Sequence, residues 1–379
     1  MSNFNSLPKL ADISSSDLEN RKVLVRLDTN VPIKSGRVVN GFRLEKSRPT
    51  LDWLRARKAK VIVIGHASGG QSLKPVAEYF QPENRSGLIT LAEATERVAK
   101  LEPGEMVFLE NLRLDPGEEK NSRRLAKFLA GLGDIYVNDA FSVSHRRHVS
   151  IVGLPKLLPS YIGQLFDQEH RALSRALTPE SPFVCLMGGA KFSTKLPLVK
   201  KFSLRADTLF VGGALAHTLF LRLGYSVGRS LVETGVGGLL PVLKRSNLML
   251  PSDVVVKTVL GRKKVKSLES IRARDIIGDA GPATIEKISN EIKKAGFVLW
   301  NGPVGNFEAG FSHGTEEVAK AMAQSDAYTL IGGGDTVTAI EQLGLFDKVD
   351  FVSTAGGAML EFLAKETLPG IEAILNSEH

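Results

Sequence analysis

The sequence predicts an α/β protein with parallel sheets and two domains, and three observations carry that prediction. Its 379 residues exceed what one hydrophobic core ordinarily organises. Short runs of Val, Ile and Leu alternate with helix-period segments from one end of the chain to the other. The runs are continuously apolar rather than alternating, so each sheet is covered on both faces, as helices cover parallel strands.

In chain order, the apolar runs place strands at Lys22–Asp28, Lys60–His66, Met106–Arg113 and Ile135–Phe141 in the first half. The second half offers Pro182–Gly189, Asp207–Gly213, Asp253–Val256, Gly296–Gly302, Tyr328–Gly334 and Asp350–Thr354. Helix-period segments at Glu45–Ala59, Glu119–Leu132, Thr315–Gln324 and Thr336–Leu343 lie between them. Gln164–Leu177 is helical in pattern, has no strand beside it, and is followed by Thr178-Pro-Glu-Ser-Pro182. It reads as the connector, so the first domain covers 1–163, the connector 164–181, and the second domain begins at 182. No repeat of solenoid period and no low-complexity tract interrupts this order.

Composition narrows the function classes. Hydrophobic residues make up 43% and charged residues 24%, enough core material for a folded enzyme. No apolar run reaches membrane-spanning length, and Met1-Ser-Asn-Phe-Asn-Ser6 lacks the basic start and long apolar stretch of a signal peptide, which points to the cytoplasm. The single cysteine, Cys185, forbids an internal disulfide and reads as a buried strand residue in Pro182–Met187. The net charge of +8 is uneven: about +10 falls in 191–280 and about −9 in 301–379. The only dense basic run, Gly261-Arg-Lys-Lys-Val-Lys-Ser267, has no interleaved aromatics and reads as a solvated loop rather than a nucleic-acid patch. Positive charge also suits an enzyme that handles several phosphates.

Two Gly-rich segments, Tyr328–Thr336 and Asp350–Ala358, stand where an apolar strand ends and a helix begins. Glycine lets backbone approach an anion, and the free N–H groups of a helix's first turn face it. Neither segment is a Walker A sequence or a G-x-G-x-x-G fingerprint. One such turn serves mere tight connection as readily as a ligand; two in succession, the first running into Asp335 and Thr336, favour a phosphate site. The first half has different chemistry at its strand ends. Val25–Pro32 ends in Asp28 and Asn30 with Arg43 soon after, Leu109–Arg113 ends in an arginine, and Val137–His148 ends in a His/Arg cluster. A lone arginine there is commonly an ion-pair partner, and His145 or His148 a structural residue. Three arginines on successive strand exits instead suit carboxylate and phosphate oxygens.

These strings resemble phosphoglycerate kinase from about Lys22 to Ile374. They are Arg-x-Asp-x-Asn-Val-Pro (26–32), Ser-Leu-Lys-Pro-Val-Ala (72–77), Leu-Glu-Asn-Leu-Arg (109–113) and Val-Asn-Asp-Ala-Phe with His-Arg-x-His (137–148). They continue with Gly-Gly-Ala-Lys-x-Ser-x-Lys (188–195), Trp-Asn-Gly-Pro-x-Gly-x-Phe-Glu (300–308), Gly-Gly-Gly-Asp-Thr (332–336), Ser-Thr-x-Gly-Gly-Ala (353–358) and Leu-Pro-Gly-Ile (368–371). The resemblance implies two Rossmann-like α/β domains with parallel sheets joined by a hinge helix. The nucleotide domain would then span 182–357, and the segment from about 358 to 379 would return to the first domain. It further implies reversible phosphoryl transfer between 1,3-bisphosphoglycerate and ADP, in line and after hinge closure, with Mg²⁺ on the nucleotide, in a monomer without a membrane or nucleic-acid partner.

By resemblance, Asp28, Asn30, Arg43, His66, Arg113 and Arg146 would hold the acid, the last two arginines gripping its phosphate. Lys191, with Arg43 and the turn at Gly356 and Gly357, would meet the transferring phosphoryl group. Lys195, Gly212, Gly213, Asn301, Pro303, Glu308, Gly334, Asp335 and Thr336 would complete the nucleotide site, with Asp335 organising the metal.

The chain also departs from the family pattern. The usual Ser-His-x-Gly-Arg-Pro is Gly65-His-Ala-Ser-Gly-Gly70, so glycine stands at 69 where an arginine is usual. Thr29 replaces a phenylalanine and Ala355 a glycine. The stretches His66–Met106 and Glu233–Val254 are short, which predicts trimmed helices. Gly69 keeps open a kinase for a related phosphorylated acid, and the 261–267 run a non-catalytic RNA-binding role.

Overall fold

A computed structural model of the chain describes residues 7–81 and 87–377; no helix among them is long and apolar enough to cross a membrane. The chain separates into two compact units, one of residues through Arg171 together with those from Lys365 onward, the other Ala172–Ala364.

The first unit holds a six-stranded parallel sheet of β1 (Lys22–Arg26), β2 (Lys60–Ile64), β3 (Leu88–Ile89), β4 (Met106–Leu109), β5 (Ile135–Asn138) and β6 (Ser160–Ile162), in the order β3-β4-β2-β1-β5-β6. Both faces are covered, and the strand period shows how. Val23, Val25, Val61 and Val63 join a core with Leu51 and Leu54 of helix α1 (Phe42–Ala56). Leu24, Ile62 and Ile64 point the other way, into a core with Leu125 and Leu129. Between β2 and β4 the helices are short, α2 (Lys74–Phe80) and α3 (Ala94–Ala99), and α4 (Arg123–Ala130) follows β4. Helix α5 (Gln164–Arg175) contains the division between the units.

The second unit has its own six-stranded parallel sheet, β7 (Phe183–Met187), β8 (Thr208–Val211), β9 (Leu248–Met249), β13 (Phe297–Asn301), β14 (Tyr328–Gly332) and β15 (Phe351–Val352), ordered β9-β8-β7-β13-β14-β15. Counting from β7, this is the doubly wound order 3-2-1-4-5-6, whose direction reverses beside the first strand. Helices α6 (Phe192–Phe202), α7 (Gly213–Arg222), α8 (Pro282–Lys294), α9 (His313–Ala323), α10 (Gly334–Gln342) and α11 (Gly357–Lys365) accompany it. Trp300, Val298 and Leu186 pack with Ile288, Ile292, Val318 and Met322 on one face, and Phe183 meets Phe202 edge-on at 5.5 Å on the other. Helix α12 (Pro369–Leu375) then packs in the first unit, where Gly370 donates to the Ser144 carbonyl at 2.9 Å. The first unit thus resumes at Lys365, the last residue of α11, and the rest of that helix stays with the second unit.

Three expectations are corrected. The expected strands run too far at their C-terminal ends, since the polar and glycine residues there leave the ladder and turn into the connections. Asp253–Val256 is a strand, β10 (Asp253–Lys257), but it belongs to a separate antiparallel sheet with β11 (Lys263–Ser267) and β12 (Ile276–Ala280). The basic run read as a loop is therefore mostly the edge strand β11; lysines on an edge strand hinder further pairing and erase the apolar signature. Two of its cations are committed internally. Lys266 pairs with the buried Asp275 at 2.5 Å, and Lys263 donates to the Gly310 carbonyl at 2.5 Å and lies over the Phe311 ring.

Candidate active site

In the first unit, the exits of β1, β2, β4 and β5 converge on Asp28 and His66. Asp28 is 1% exposed, and its carboxylate accepts from Arg43 Nη1 at 3.1 Å, Ser142 Oγ at 2.6 Å and the Asn30 amide at 3.4 Å. Arg43 comes from the first turn of α1 and stays half-buried. The Asn30 side-chain oxygen accepts both the Ser68 amide, at 3.0 Å, and its hydroxyl, at 2.9 Å, tying down the turn that contains Gly69. Asn111, after β4, pins the same turn by donating to the carbonyls of Ala67 and Gln71.

The chemistry of His66 follows from one contact. Its Nδ1 lies 2.8 Å from Nη2 of the fully buried Arg26. A guanidinium only donates, so Nδ1 accepts and the neutral ring carries its proton on Nε2. The ring stays neutral because burial, and then the positive charges of Arg26, Arg113, His148 and Arg146, push its pKa down to about 2. His66 is therefore a fixed neutral donor among cations. Arg113 is half-buried with Nε 3.3 Å from Glu119, and Arg146 is exposed.

Thr29 and Gly65 are coupled. The Thr29 hydroxyl donates to the His66 carbonyl and accepts its amide, both at 2.8 Å, and a Cβ at Gly65 would lie 2.2 Å from that hydroxyl. Thr29 occupies the space that a serine at 65 would need. At Gly69 the backbone has φ +66 and nothing stands within 4 Å of a Cβ position.

In the second unit, glycines let three strand exits meet. A Cβ at Gly188 would lie 2.1 Å from the Pro303 carbonyl oxygen, and one at Gly213, where φ is +57, 2.8 Å from the Gly189 amide. Lys195, on α6, donates to the carbonyls of Gly188 at 2.6 Å and Asn301 at 2.9 Å, with a pKa lowered to about 8 by burial against the opposing pull of Asp335. Thr336 accepts from the Gly302 amide at 2.9 Å, so its hydroxyl locks the 302 turn to α10 instead of standing free. Asn301 is likewise buried, under Gly333.

Gly212 caps α7, Gly334 opens α10 beside Gly333 at φ +96, and Lys191 is the exposed N-cap of α6. Gly213, Pro303, Glu308 and Asp335 line one cavity of about 260 Å³. In the last turn, the left-handed residue is Gly356, φ +52, ahead of Gly357; Ala355 is not among the residues at positive φ, so alanine there carries no such strain.

The sequence reading gave no site role to several residues that the structure draws into these sites. Arg26, Thr29 and Ser142 surround Asp28 and His66, and His217 and Asp279 line the cavity. An arginine inside an apolar strand was the visible signal for the first.

The model of the phosphoglycerate kinase family matches residues 13–366. The chain belongs to the phosphoglycerate kinase family. A phosphoglycerate kinase from Thermomicrobium roseum is 39% identical over 95% of this chain and 97% of its own. One from Herpetosiphon aurantiacus is 41% identical over 93% and 96%. A solved phosphoglycerate kinase from Coxiella burnetii, 35% identical, matches 97% of this chain and 98% of its own with a TM-score of 0.85. One from Pyrococcus horikoshii, 30% identical, gives 0.83 over 97% and 98%. The two parallel-sheet units are thus the Rossmann-like domains of a phosphoglycerate kinase, a glycolytic phosphotransferase with a carboxyl group as acceptor.

Asp279 gives the chain a testable pH dependence. Its buried carboxylate accepts from the Gly314 amide at 2.9 Å and the Ala280 amide at 3.0 Å, and burial pushes its pKa up to about 6. A folded value above the ordinary one means that its favourable contribution is complete below about pH 4 and is lost as pH rises through 6. The wild type is therefore expected to gain about 1–2 kcal/mol on Asp279→Asn between pH 7 and pH 5. Thermal denaturation of both proteins at the two pH values checks this; an unchanged gap means an ordinary carboxylate.

Proposed function

We propose that this chain transfers a phosphoryl group between a nucleotide on the second unit and the carboxyl group of 3-phosphoglycerate on the first, as a cytoplasmic monomer. The observation that carries the reading is the Asp28–His66 site, where a neutral Nε2–H donor is surrounded by Arg26, Arg43, Arg113 and Arg146. Arg113 and Arg146 suit the acid's phosphate, and Asp28, Asn30 and Arg43 its hydroxyl and carboxylate. On the second unit, the glycine-led first turn of α10 suits a phosphate, and Lys191 and Lys195 add positive charge; the start of α6 is already taken by Glu233, which accepts the Ser193 amide at 3.0 Å.

The acceptor is already an anion, so no general base is required. What remains is positioning and neutralising the charge on the transferring oxygens, a task for Arg43, Lys191 and the turn at Gly356–Gly357. The reaction requires the two bound substrates to meet with water excluded, so turnover includes a closing step. The described residues hold no group of three His, Cys, Asp or Glu able to cage a metal. Asp335, exposed on the cavity at the start of α10, fits an ion that arrives with the nucleotide and takes most ligands from phosphates and water. When bound, Mg²⁺ screens phosphate charge.

Steady-state assay with 3-phosphoglycerate and Mg-ATP, coupled to NADH oxidation, tests the proposal. A robust rate that falls at least about a hundredfold in Lys191→Ala is expected; no rate at high acid concentration overturns the reading. Gly69 motivates the second reading, a related phosphorylated acid. Gly69→Arg is expected to lower KM for 3-phosphoglycerate by up to about tenfold through a regained phosphate contact. It should cost about 1 kcal/mol of stability, since an arginine must adopt φ +66. A panel in which another phosphorylated acid outperforms 3-phosphoglycerate in the wild type favours the second reading.

A further inference from the structure

The cavity of about 260 Å³ beside Gly213 and Pro303 is largely apolar where it is enclosed, with Ala216, Phe220, Val254 and Ile277 among its buried walls. Only two buried polar side chains line it, Asp279 and His217. Both Asp279 oxygens already accept backbone amides, Oδ1 from Ala280 and Oδ2 from Gly314. His217 differs. Its Nδ1 lies 2.9 Å from the Leu231 carbonyl oxygen, and a carbonyl only accepts, so Nδ1 carries the hydrogen.

Burial pushes the His217 pKa down to about 4, which keeps the ring neutral and leaves Nε2 with a lone pair. Among the described residues Nε2 has no hydrogen-bond partner, and although the residue as a whole is only 7% exposed, this nitrogen is not sealed off from the cavity its ring lines. An acceptor that only solvent can serve in a largely apolar cavity gains from a ligand that brings a donor in fixed geometry.

We infer that His217 selects the nucleobase, its Nε2 accepting a hydrogen bond from the amino group of an adenine ring. This rests on the nucleotide reading of the cavity. A purine without that amino group leaves Nε2 unpaired, and a 6-oxo purine sets oxygen against nitrogen, acceptor to acceptor. Discrimination by a site built around a hydrogen bond is strong for this reason.

The test is calorimetric titration of wild type, His217→Phe and His217→Asn with ATP, purine riboside triphosphate and ITP, alongside steady-state kinetics. The wild type is expected to bind ATP about tenfold or more tightly than purine riboside triphosphate. His217→Phe keeps ring bulk without the acceptor and should bring the ratio within about twofold by weakening ATP. KM for 3-phosphoglycerate should not move. Equal wild-type affinities for ATP and purine riboside triphosphate overturn the assignment, whether or not the variants fold. A ratio preserved in His217→Phe overturns it as well. A wild type that binds none of the three nucleotides removes the nucleotide reading itself.

Discussion

Replacing Arg43 with alanine is expected to lower kcat/KM for phosphoryl transfer by about a thousandfold, within the range that a transition-state arginine contributes in phosphoryl transfer. The transferring group spreads negative charge over three oxygens, and a guanidinium fork aimed there gains as that charge develops. Arg43 also balances Asp28. That carboxylate is 1% exposed and has only neutral donors, Ser142 and Asn30, besides the Nη1 contact at 3.1 Å. Without Arg43 it would face an incoming carboxylate with its hydrogen-bonded cation gone and only the more distant charge of Arg26 beside it, so KM for the acid should rise while kcat falls. Arg43→Lys keeps the charge but loses the fork and should recover only part of the rate. Adding Asp28→Asn to Arg43→Ala should recover acid affinity but not kcat, which separates the two roles. Kinetics on the three variants, with circular dichroism to verify folding, decides the matter. A kcat/KM for Arg43→Ala within tenfold of wild type would remove Arg43 from the transition state.

What the sequence shows depends on how local the cause is. Continuous runs such as Lys60–Ile64 and Phe297–Asn301 reveal strands because both sheet faces must be apolar, and every long parallel strand was legible that way. Leu88–Ile89 and Leu248–Met249 are too short to stand out, and Lys263–Ser267 is hidden because an edge strand gains from lysine. Among site residues, charged groups at strand exits and glycines before helices announce themselves. The hydroxyl of Thr29 does not, because its meaning lies in the absent side chain of Gly65, 36 positions away in sequence and facing it across adjacent strand exits. Thr336 was legible as a helix-start residue, but its bond to the Gly302 amide is a tertiary fact that no local pattern encodes.

Arg26 is the residue whose loss should cost the fold most. It is buried with Nε donating to Ser150 Oγ at 3.0 Å, a second nitrogen on the Leu27 carbonyl, and Nη2 on His66. Ser150 in turn donates its hydroxyl, at 2.5 Å, and its amide, at 3.0 Å, to Glu118, a carboxylate 1% exposed. Burial lowers the pKa of Arg26, and the charge of Glu118 is the largest influence opposing it.

Arg26→Met fills similar volume but leaves Glu118 as a buried charge with only His148, 3.9 Å away, as a possible cation. Burial holds that histidine's pKa down. A loss of about 3–5 kcal/mol is expected, the size seen when a buried charge loses its counter-charge, here one reached through Ser150. Removing both charges, in Arg26→Met with Glu118→Gln, should recover most of it, because two neutral groups carry no uncompensated charge. Activity should not follow stability. In the double variant nothing donates to His66 Nδ1, so the proton is no longer confined to Nε2 and the donor that faces the acid is lost for part of the population. Urea denaturation and KM for the acid, measured on both variants, separate the effects: restored stability with a KM still raised about tenfold assigns Arg26 to positioning His66. Restoration of both assigns it to holding the core alone.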